Sequence, residues 1–256
     1  MNAPLADPHP ADAPRADAQF VTANLADVIT FSSVDGPGNR FVVFLQGCNF
    51  DCIACHNPQT IATSAHHPVS VDALLPRIRR AAPFLSGITV SGGEATQQHE
   101  FVHHLFTAVK ADPATAQLTC FVDSNGACDT SVLDDLAPVM DGAMIDLKCL
   151  NPFIHERMTG QPNDQVLASI RHLRAIDRLY EVRLLIMAGV NDDPILLQRT
   201  GEWLATVDPR LRLKVIAFRL HGARPHDPPL RETPRRRIDE VAAQMQAIAP
   251  FDVTLV

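Results

Sequence analysis

Short apolar segments rich in β-branched residues alternate with segments of helical periodicity through most of this chain. The strand-like segments are FVVFLQG, GITVSGG, LTCFVDSNG, GAMIDLK, EVRLLIM and LRLKVIAF. Between them lie stretches such as VDALLPRIRRAA, EFVHHLFTAVKA and NDQVLASIRHLRAI, in which apolar residues recur every three or four positions. Repeated strand–helix units predict an α/β fold with a parallel sheet covered by helices. Six units are too few to close an eight-stranded barrel, so we predict a partial (β/α)6 TIM-like open barrel with FDVTLV as an extra edge strand.

Length and composition are typical of one large domain. The chain has 256 residues, 46% of them hydrophobic, which is enough for one core. We assign residues 25–256 to this domain, and residues 1–24, rich in Ala, Pro and Asp, to a disordered tail rather than a signal peptide. A net charge of −7 and the lack of long apolar runs predict neither a nucleic-acid partner nor a membrane span. The cysteine spacing does not resemble a secreted disulfide framework and indicates a reducing cytoplasm.

Polar and special residues follow the strand-like segments. They are Cys48 after the first, Gly92, Gly93 and Glu94 after the second, Asp123, Ser124 and Asn125 after the third, and Asp146 and Lys148 near the end of the fourth. The carboxyl ends of parallel strands meet at one edge of the sheet, where ligands of such folds bind. The sequence therefore predicts a single site that collects these residues.

Three of the six cysteines, Cys48, Cys52 and Cys55, lie within eight residues in the spacing C-x-x-x-C-x-x-C. Iron–sulfur clusters are usually held by four cysteines, so three thiolates would leave one iron free to bind a substrate. The alternative is a zinc site with His56 as fourth ligand, in a binding module without chemistry of its own. Structural zinc sites more often use two separated pairs of ligands, and His56 directly follows Cys55, so the spacing favours the cluster.

Two other motifs have simpler interpretations. The segment HEFVH, from His99 to His103, fits the H-E-x-x-H zinc pattern, but the sequence nominates no third ligand, so we interpret it as an ordinary amphipathic helix. The segment PRRRIDE, residues 234–240, is typical of a helix start rather than of a nucleic-acid contact. Cys120, Cys128 and Cys149 are scattered, and we expect them in the core.

The segment VDGPGNRFVVFLQGCNFDCIACHNP, followed by ITVSGGEAT, VDSNG, AMIDLK, EVRLLIMAG and AFRLHG, resembles the radical S-adenosylmethionine activases of glycyl-radical enzymes. The chain is similar to the pyruvate formate-lyase activating enzyme group from Phe31 onward, and most similar to its YjjW-type branch. The resemblance implies an open barrel of the radical SAM type. It also implies a [4Fe-4S] cluster that cleaves S-adenosylmethionine with one electron, and a 5'-deoxyadenosyl radical that takes hydrogen from a glycine of a partner enzyme. A flavodoxin or ferredoxin-type protein would donate the electron.

The resemblance also implies roles for individual residues. The cluster ligands are Cys48, Cys52 and Cys55. The residues expected around the methionine part of S-adenosylmethionine and a monovalent cation are Gly92, Gly93, Glu94, Asp123, Ser124, Asn125, Met144 and Asp146. The catalytic and pocket-lining residues are Lys148, Arg183 and His221, with Asp35 near the incoming glycine loop of the glycyl-radical enzyme.

The chain departs from the family at two places. Many relatives have an aromatic residue before the last cysteine, where this chain has Ala54, so we expect adenine stacking from elsewhere, with His56 as the candidate. About thirty cysteine-free residues separate Pro58 from the SGGE segment, which leaves no room for the ferredoxin-like insert of the YjjW-type branch. Two related functions stay open at this point: activation of an anaerobic ribonucleotide reductase, and modification of a small molecule.

Overall fold

The computed structural model describes residues 21–63 and 67–256. Most of the predicted tail, residues 1–20, therefore lies outside the described part of the chain. The first strand begins at Thr22, so the last residues assigned to the tail belong to the sheet.

One nine-stranded sheet organises the described residues. Its strands are β1 (Thr22–Ser32), β2 (Arg40–Leu45), β3 (Pro68–Ser70), β4 (Gly87–Gly92), β5 (Thr119–Ser124), β6 (Gly142–Asp146), β7 (Leu179–Ile186), β8 (Arg212–Ala217) and β9 (Asp252–Leu255). Their order across the sheet is β3-β1-β2-β4-β5-β6-β7-β8-β9. β1 is antiparallel to β2 and β3, and the other neighbours are parallel. Since β3 and β9 end the order, the sheet is open, as predicted.

The six strand-like segments and FDVTLV correspond to β2 and β4 to β9, which confirms the predicted parallel sheet. β1 and β3 were not predicted. Only Ala23 and Ser32 of β1 are buried, because the strand lies towards the edge of the sheet and exposes most of its length. Without an alternation of buried and exposed residues, its sequence has no strand signature.

Seven α-helices connect the strands and cover the sheet. They are α1 (Val71–Ala81), α2 (His99–Ala111), α3 (Thr130–Leu136), α4 (Pro152–Thr159), α5 (Asp164–Ala175), α6 (Pro194–Val207) and α7 (Arg235–Ile248). The three predicted helices are α1, α2 and α5. PRRRIDE begins α7, where Arg235 pairs with Asp239 at 3.0 Å along the helix. HEFVH begins α2, with Phe101 and Val102 buried against the sheet.

The two faces of the sheet are filled differently. The outer face packs against the helices through buried side chains such as Val43, Ile88 and Phe106. Cys120, Cys128 and Cys149 are also buried, as expected. The inner face carries Arg40, fully buried, which donates to the Thr89 Oγ1 at 3.0 Å and lies 4.7 Å above the ring of Phe121. This arrangement fills the amino end of the open barrel and leaves its carboxyl end for the polar residues.

His155, in α4, is an exception among the buried polar side chains of the described residues. Its side chain is fully buried, and neither ring nitrogen has a hydrogen-bond partner among the described residues. Its ring meets the edge of Phe50 with a centroid distance of 5.6 Å. Burial lowers the pKa of His155 to about 4, so the ring is neutral at neutral pH.

No helix in the described part of the chain is long and apolar enough to cross a membrane.

We predict that Phe106→Ala lowers the free energy of unfolding by about 3–5 kcal/mol, because the ring leaves a cavity in the core. Phe153→Ala is the matched control, since the Phe153 side chain is 77% exposed, and it should change that free energy by less than about 0.5 kcal/mol. Urea unfolding followed by circular dichroism measures both. Equal losses for the two variants would contradict the described core.

We also predict a pH effect from His155. Its pKa is about 4 in the fold and 6.5 when exposed, so between these pH values the unfolded chain binds a proton that the folded chain does not. This difference makes the fold less stable as the pH falls through that window. His155→Leu should flatten the dependence and leave stability at pH 7 equal or higher, because it removes two unpaired buried nitrogens.

Urea midpoints measured from pH 7 to pH 4 test this effect. His67→Leu, at an exposed position, is the control and should keep the slope of the unmodified protein. A His155→Leu variant with an unchanged slope would show that His155 is not the group responsible.

Candidate active site

A cavity of about 270 Å³ opens at the carboxyl edge of the parallel strands, where the sequence predicts the site. The predicted residues that line it are Cys48, Cys52, Cys55, Gly92, Gly93, Glu94, Asp123, Ser124, Asn125, Asp146, Lys148 and Arg183. They come from the ends of β4, β5, β6 and β7 and from the loop after β2. The fold therefore brings most of the predicted site together.

The cysteine loop, residues 46–57, presents three free thiols at one wall of this cavity. Backbone hydrogen bonds hold it: Asp51 N donates to Thr159 O at 2.8 Å, and Ile53 N donates to Met158 O at 2.9 Å. The loop is thereby attached to the carboxyl end of α4, while Cys48 N donates to Ile61 O at 3.1 Å on its other side. These contacts orient the loop through the backbone and leave the thiols available.

The donor set fits a cluster better than a single metal ion. Among the residues described by the structure, no three His, Cys, Asp or Glu side chains converge as one ion requires. Each iron of a cluster takes its own thiolate, so three separated thiols around an open cavity suit a cluster. His56 Nε2 is 2.9 Å from the Arg219 carbonyl oxygen, which leaves only Nδ1 of this ring for a metal ion. Among the described residues, the zinc-module alternative therefore lacks a converging set of three ligands.

Burial keeps two of the site thiols, those of Cys48 and Cys52, neutral. It raises the pKa of Cys48 to about 12, and it raises the pKa of Cys52 as well. A thiolate here needs a positive partner within the cavity, and metal binding at cysteine releases protons for this reason.

The glycines after β4 lie against the backbone of β2 and the cysteine loop. Gly92 has φ +124°, and a Cβ there would lie 2.2 Å from the Leu45 backbone oxygen. At Gly93 a Cβ would lie 2.2 Å from the Gly47 carbonyl oxygen. Gly93 N donates to Leu45 O, and Glu94 N donates to Gly47 O, each at 2.8 Å. Both positions must be glycine for the strand ends to approach each other.

Glu94 is buried and joins the ends of β4 and β5. Its Oε1 accepts from Thr96 N at 2.9 Å, from Thr96 Oγ1 at 2.7 Å and from Ser124 Oγ at 2.7 Å. Its Oε2 accepts from Asn125 N at 2.7 Å. Burial raises the pKa of Glu94, while these hydrogen bonds favour the carboxylate. The single donor at Oε2 leaves that oxygen able to accept from a ligand.

Two opposite-charge pairs face the cavity from β5, β6 and β7. Lys148 Nζ is 2.6 Å from Asp146 Oδ2, and Arg183 Nη1 is 2.8 Å from Asp123 Oδ1. Burial alone would raise the pKa of Asp146, but Lys148 and Arg183 outweigh burial and hold it below the ordinary value. Burial would likewise lower the pKa of Lys148, and Asp146 raises it above the ordinary value. Asp146, Lys148 and Arg183 are therefore charged at neutral pH. Asp123 differs, because burial raises its pKa above the ordinary value and the Arg183 guanidinium only partly opposes this rise.

Several site residues were not predicted. Glu181 Oε1 accepts from Arg183 Nε at 2.9 Å and lies 3.3 Å from Lys214 Nζ. The spacing of Glu181 and Arg183, two apart on β7, is the sequence signal that could have paired them. The apolar part of the wall also escaped prediction, because nothing in the sequence distinguishes it from core: Phe50, Ile61, Met158, Leu185 and Ile216.

Three predicted residues do not line the cavity. Met144 is fully buried behind it, where its Sδ lies 2.9 Å from Arg183 Nη2. Asp35 lies in the loop after β1, where it accepts from Ser32 Oγ. His221 is exposed on the loop after β8, where the neighbouring Leu220 N donates to Glu232 Oε1 at 2.9 Å. Its role in the pocket stays a prediction.

The wall near the last cysteine contains Ala54 and His56, the candidate for adenine stacking. Ala54 is buried against Phe218, whose ring centroid is 5.7 Å from that of His56. His56 lines the cavity and Phe218 does not, since Phe218 is fully buried.

Comparisons with known proteins agree with this geometry. The sequence matches the Radical SAM superfamily over residues 42–197. It is 34% identical to a pyruvate formate-lyase-activating enzyme of Streptococcus mutans over 81% of this chain and 82% of that protein. It is 33% identical to a putative glycyl-radical enzyme activating enzyme of Haemophilus influenzae, over 77% of this chain and 82% of that protein.

Solved structures share the fold. A radical SAM methyltransferase from Sphaerobacter thermophilus superposes with a TM-score of 0.66 at 16% identity, over 84% of this chain and 66% of that one. At that identity the likeness concerns the open α/β architecture alone. The family match and the activating-enzyme relatives lead to one conclusion: the chain belongs to the radical SAM superfamily and, within it, to the activating enzymes of glycyl-radical enzymes.

Proposed function

We propose that this protein cleaves S-adenosylmethionine reductively and uses the resulting 5'-deoxyadenosyl radical to take hydrogen from a glycine of a partner glycyl-radical enzyme. The observation that carries the proposal is the presence of three free cysteines, a buried glutamate and two charged pairs around one cavity. The relatives named as activating enzymes support it, since the alignments cover most of their length.

Cys48, Cys52 and Cys55 would hold a [4Fe-4S] cluster. When bound, the cluster supplies the electron for cleavage of the sulfonium and an open iron for the amino and carboxylate groups of S-adenosylmethionine. The chain itself provides the cavity, whose partly apolar wall limits access of water to the reacting groups.

The polar residues of the cavity suit the methionine part of S-adenosylmethionine. Glu94 Oε2 accepts one hydrogen bond within the protein and has capacity for an ammonium group. Lys148 and Arg183 carry the positive charges that a carboxylate needs. We assign the adenine to the wall formed by His56, because Ala54 has no ring to stack on it.

The proposal includes a monovalent cation near Asp123, Ser124 and Asp146. Two carboxylates facing one cavity attract a cation, although Arg183 and Lys148 each neutralise one of them. Met144 would act indirectly, through its contact with Arg183.

The partner proteins are a glycyl-radical enzyme, with Asp35 near its glycine loop, and a flavodoxin or ferredoxin-type electron donor. A reducing cytoplasm suits this chemistry, and all six cysteines are free thiols.

We predict that the anaerobically reconstituted and reduced protein forms 5'-deoxyadenosine from S-adenosylmethionine. The triple variant Cys48→Ala, Cys52→Ala, Cys55→Ala should form none above background and bind no iron, because the cluster has lost its ligands. Cys120→Ala is the control, since Cys120 is buried on the outer face of the sheet, and it should keep the activity. Chromatography of the product and iron analysis measure both properties.

A candidate partner added to this assay tests the second half of the proposal. Electron paramagnetic resonance should then detect a glycyl radical on the partner that is absent without S-adenosylmethionine. A reducible cluster that produces no 5'-deoxyadenosine with or without the partner would contradict the activase function.

We further predict that Lys148→Met weakens binding of S-adenosylmethionine about tenfold or more, because a charge-assisted hydrogen bond is lost. Lys110→Met is the control: Lys110 also forms a salt bridge with an aspartate, at 2.6 Å from Asp141, but does not line the cavity. Equilibrium binding to the oxidised, reconstituted protein measures the affinity. Unchanged affinity in Lys148→Met would exclude a contact between this ammonium and the cosubstrate.

A further inference from the structure

A long loop after β8, which we call the strap (residues 218–233), crosses the outside of the cysteine loop. Its two ends are joined, because Thr233 N donates to Phe218 O at 3.0 Å. Thr233 Oγ1 also donates to Ile186 O at 2.6 Å, which anchors this junction on the end of β7. The base of the strap is therefore attached to the sheet.

Arg224 connects the strap to the cysteine loop. Its Nη2 donates to the Asp51 carbonyl oxygen at 2.8 Å and to the Cys52 carbonyl oxygen at 3.1 Å. Its Nη1 is 2.7 Å from Asp51 Oδ1. One planar guanidinium thus contacts two successive carbonyls and a carboxylate, a set that a lysine ammonium does not match in geometry.

A second contact lies at the other end of the cysteine loop. The Arg219 carbonyl oxygen is 2.9 Å from His56 Nε2, next to Cys55. The strap thereby touches the loop beside two of the three predicted ligands. The contact at His56 uses a backbone carbonyl of the strap, which a substitution in the strap leaves in place. Arg224 uses its side chain, which has three polar partners, so a substitution can remove its contacts.

The Arg224–Asp51 ion pair alone would contribute little. The Asp51 side chain is 67% exposed, and exposed pairs are weakened by water and salt. The two carbonyl contacts differ, because they restrain the peptide groups that position Cys52. Arg224 also places a positive charge beside Cys52, where three thiolates would gather negative charge.

We propose that Arg224 is a positioning residue that holds the cysteine loop closed over the bound cluster and slows the loss of iron. This inference rests on the proposed function, since it assumes the cluster at Cys48, Cys52 and Cys55. Opening of the loop must break the Arg224 contacts before Cys52 can move away, so their removal increases the rate of opening.

The test is the rate of iron release from the reconstituted protein to a ferrous chelator under anaerobic conditions, without S-adenosylmethionine. Arg224→Ala should release iron about tenfold faster, because two hydrogen bonds to the loop are lost. Arg224→Lys should give an intermediate rate. Arg231→Ala, at an exposed position on the same strap, is the matched control and should release iron at the rate of the unmodified protein.

Asp51→Asn separates the two kinds of contact, since it removes the ion pair and keeps both carbonyls. A rate close to that of the unmodified protein is expected. The urea midpoint of the cluster-free protein should be the same with and without Arg224→Ala, which distinguishes retention of the cluster from general stability. If Arg224→Ala does not fold without the cluster, Arg224→Lys and Arg224→Gln supply the comparison.

The outcomes are distinguishable from failure of the proposed function. An unmodified protein that takes up no iron would contradict the cluster site itself. Normal uptake with equal release rates for Arg224→Ala and Arg231→Ala would overturn the role of Arg224 and leave the proposed function intact.

Discussion

A side chain at Gly92 would overlap the backbone at the end of β2, and a side chain at Gly93 would overlap the backbone of the cysteine loop at Gly47. This contact joins the second parallel strand of the sheet to the loop that carries the three cysteines, through hydrogen bonds from Gly93 N and Glu94 N. It also turns the Glu94 side chain towards β5, where Ser124 and Asn125 donate to it. The cysteine wall, the glutamate and the β5 residues therefore share one origin in the backbone geometry of two adjacent strands.

The charged side chains of the cavity depend on the same sheet edge. Asp123, Asp146 and Arg183 lie on three neighbouring parallel strands. The register places Asp146 beside Arg183 and Asp123 beside Met144, two residues before Asp146. A buried charge is stable only with a partner, and the pairs with Arg183 and Lys148 provide one for each carboxylate. The cavity can thus carry both signs of charge, which is what a zwitterionic methionine group requires for recognition.

The elements most exposed to solvent were the hardest to predict. β4 to β8 were predictable because their outer faces are buried and their segments are apolar. β1 has no such pattern, since β2 pairs with it but few of its residues are buried. In the site, the cysteine spacing and the residues after each strand were enough to predict the thiols and most of the charged residues of the lining. Glu181 had a signal in its spacing from Arg183 on β7, whereas Lys214 could not be recognised, because it meets Glu181 only through the pairing of β7 with β8.

The sequence by itself determined the alternation of strands and helices, the cysteine spacing and the identity of the residues at the strand ends. These are local properties, encoded in periodicity and in short motifs. The tertiary structure decided which residues meet. It placed His221 outward, put Met144 behind Arg183 and set Arg224 against the backbone of Asp51 and Cys52. Contacts between residues more than a hundred positions apart depend on how strands and loops pack, and a single sequence carries no local signal for them.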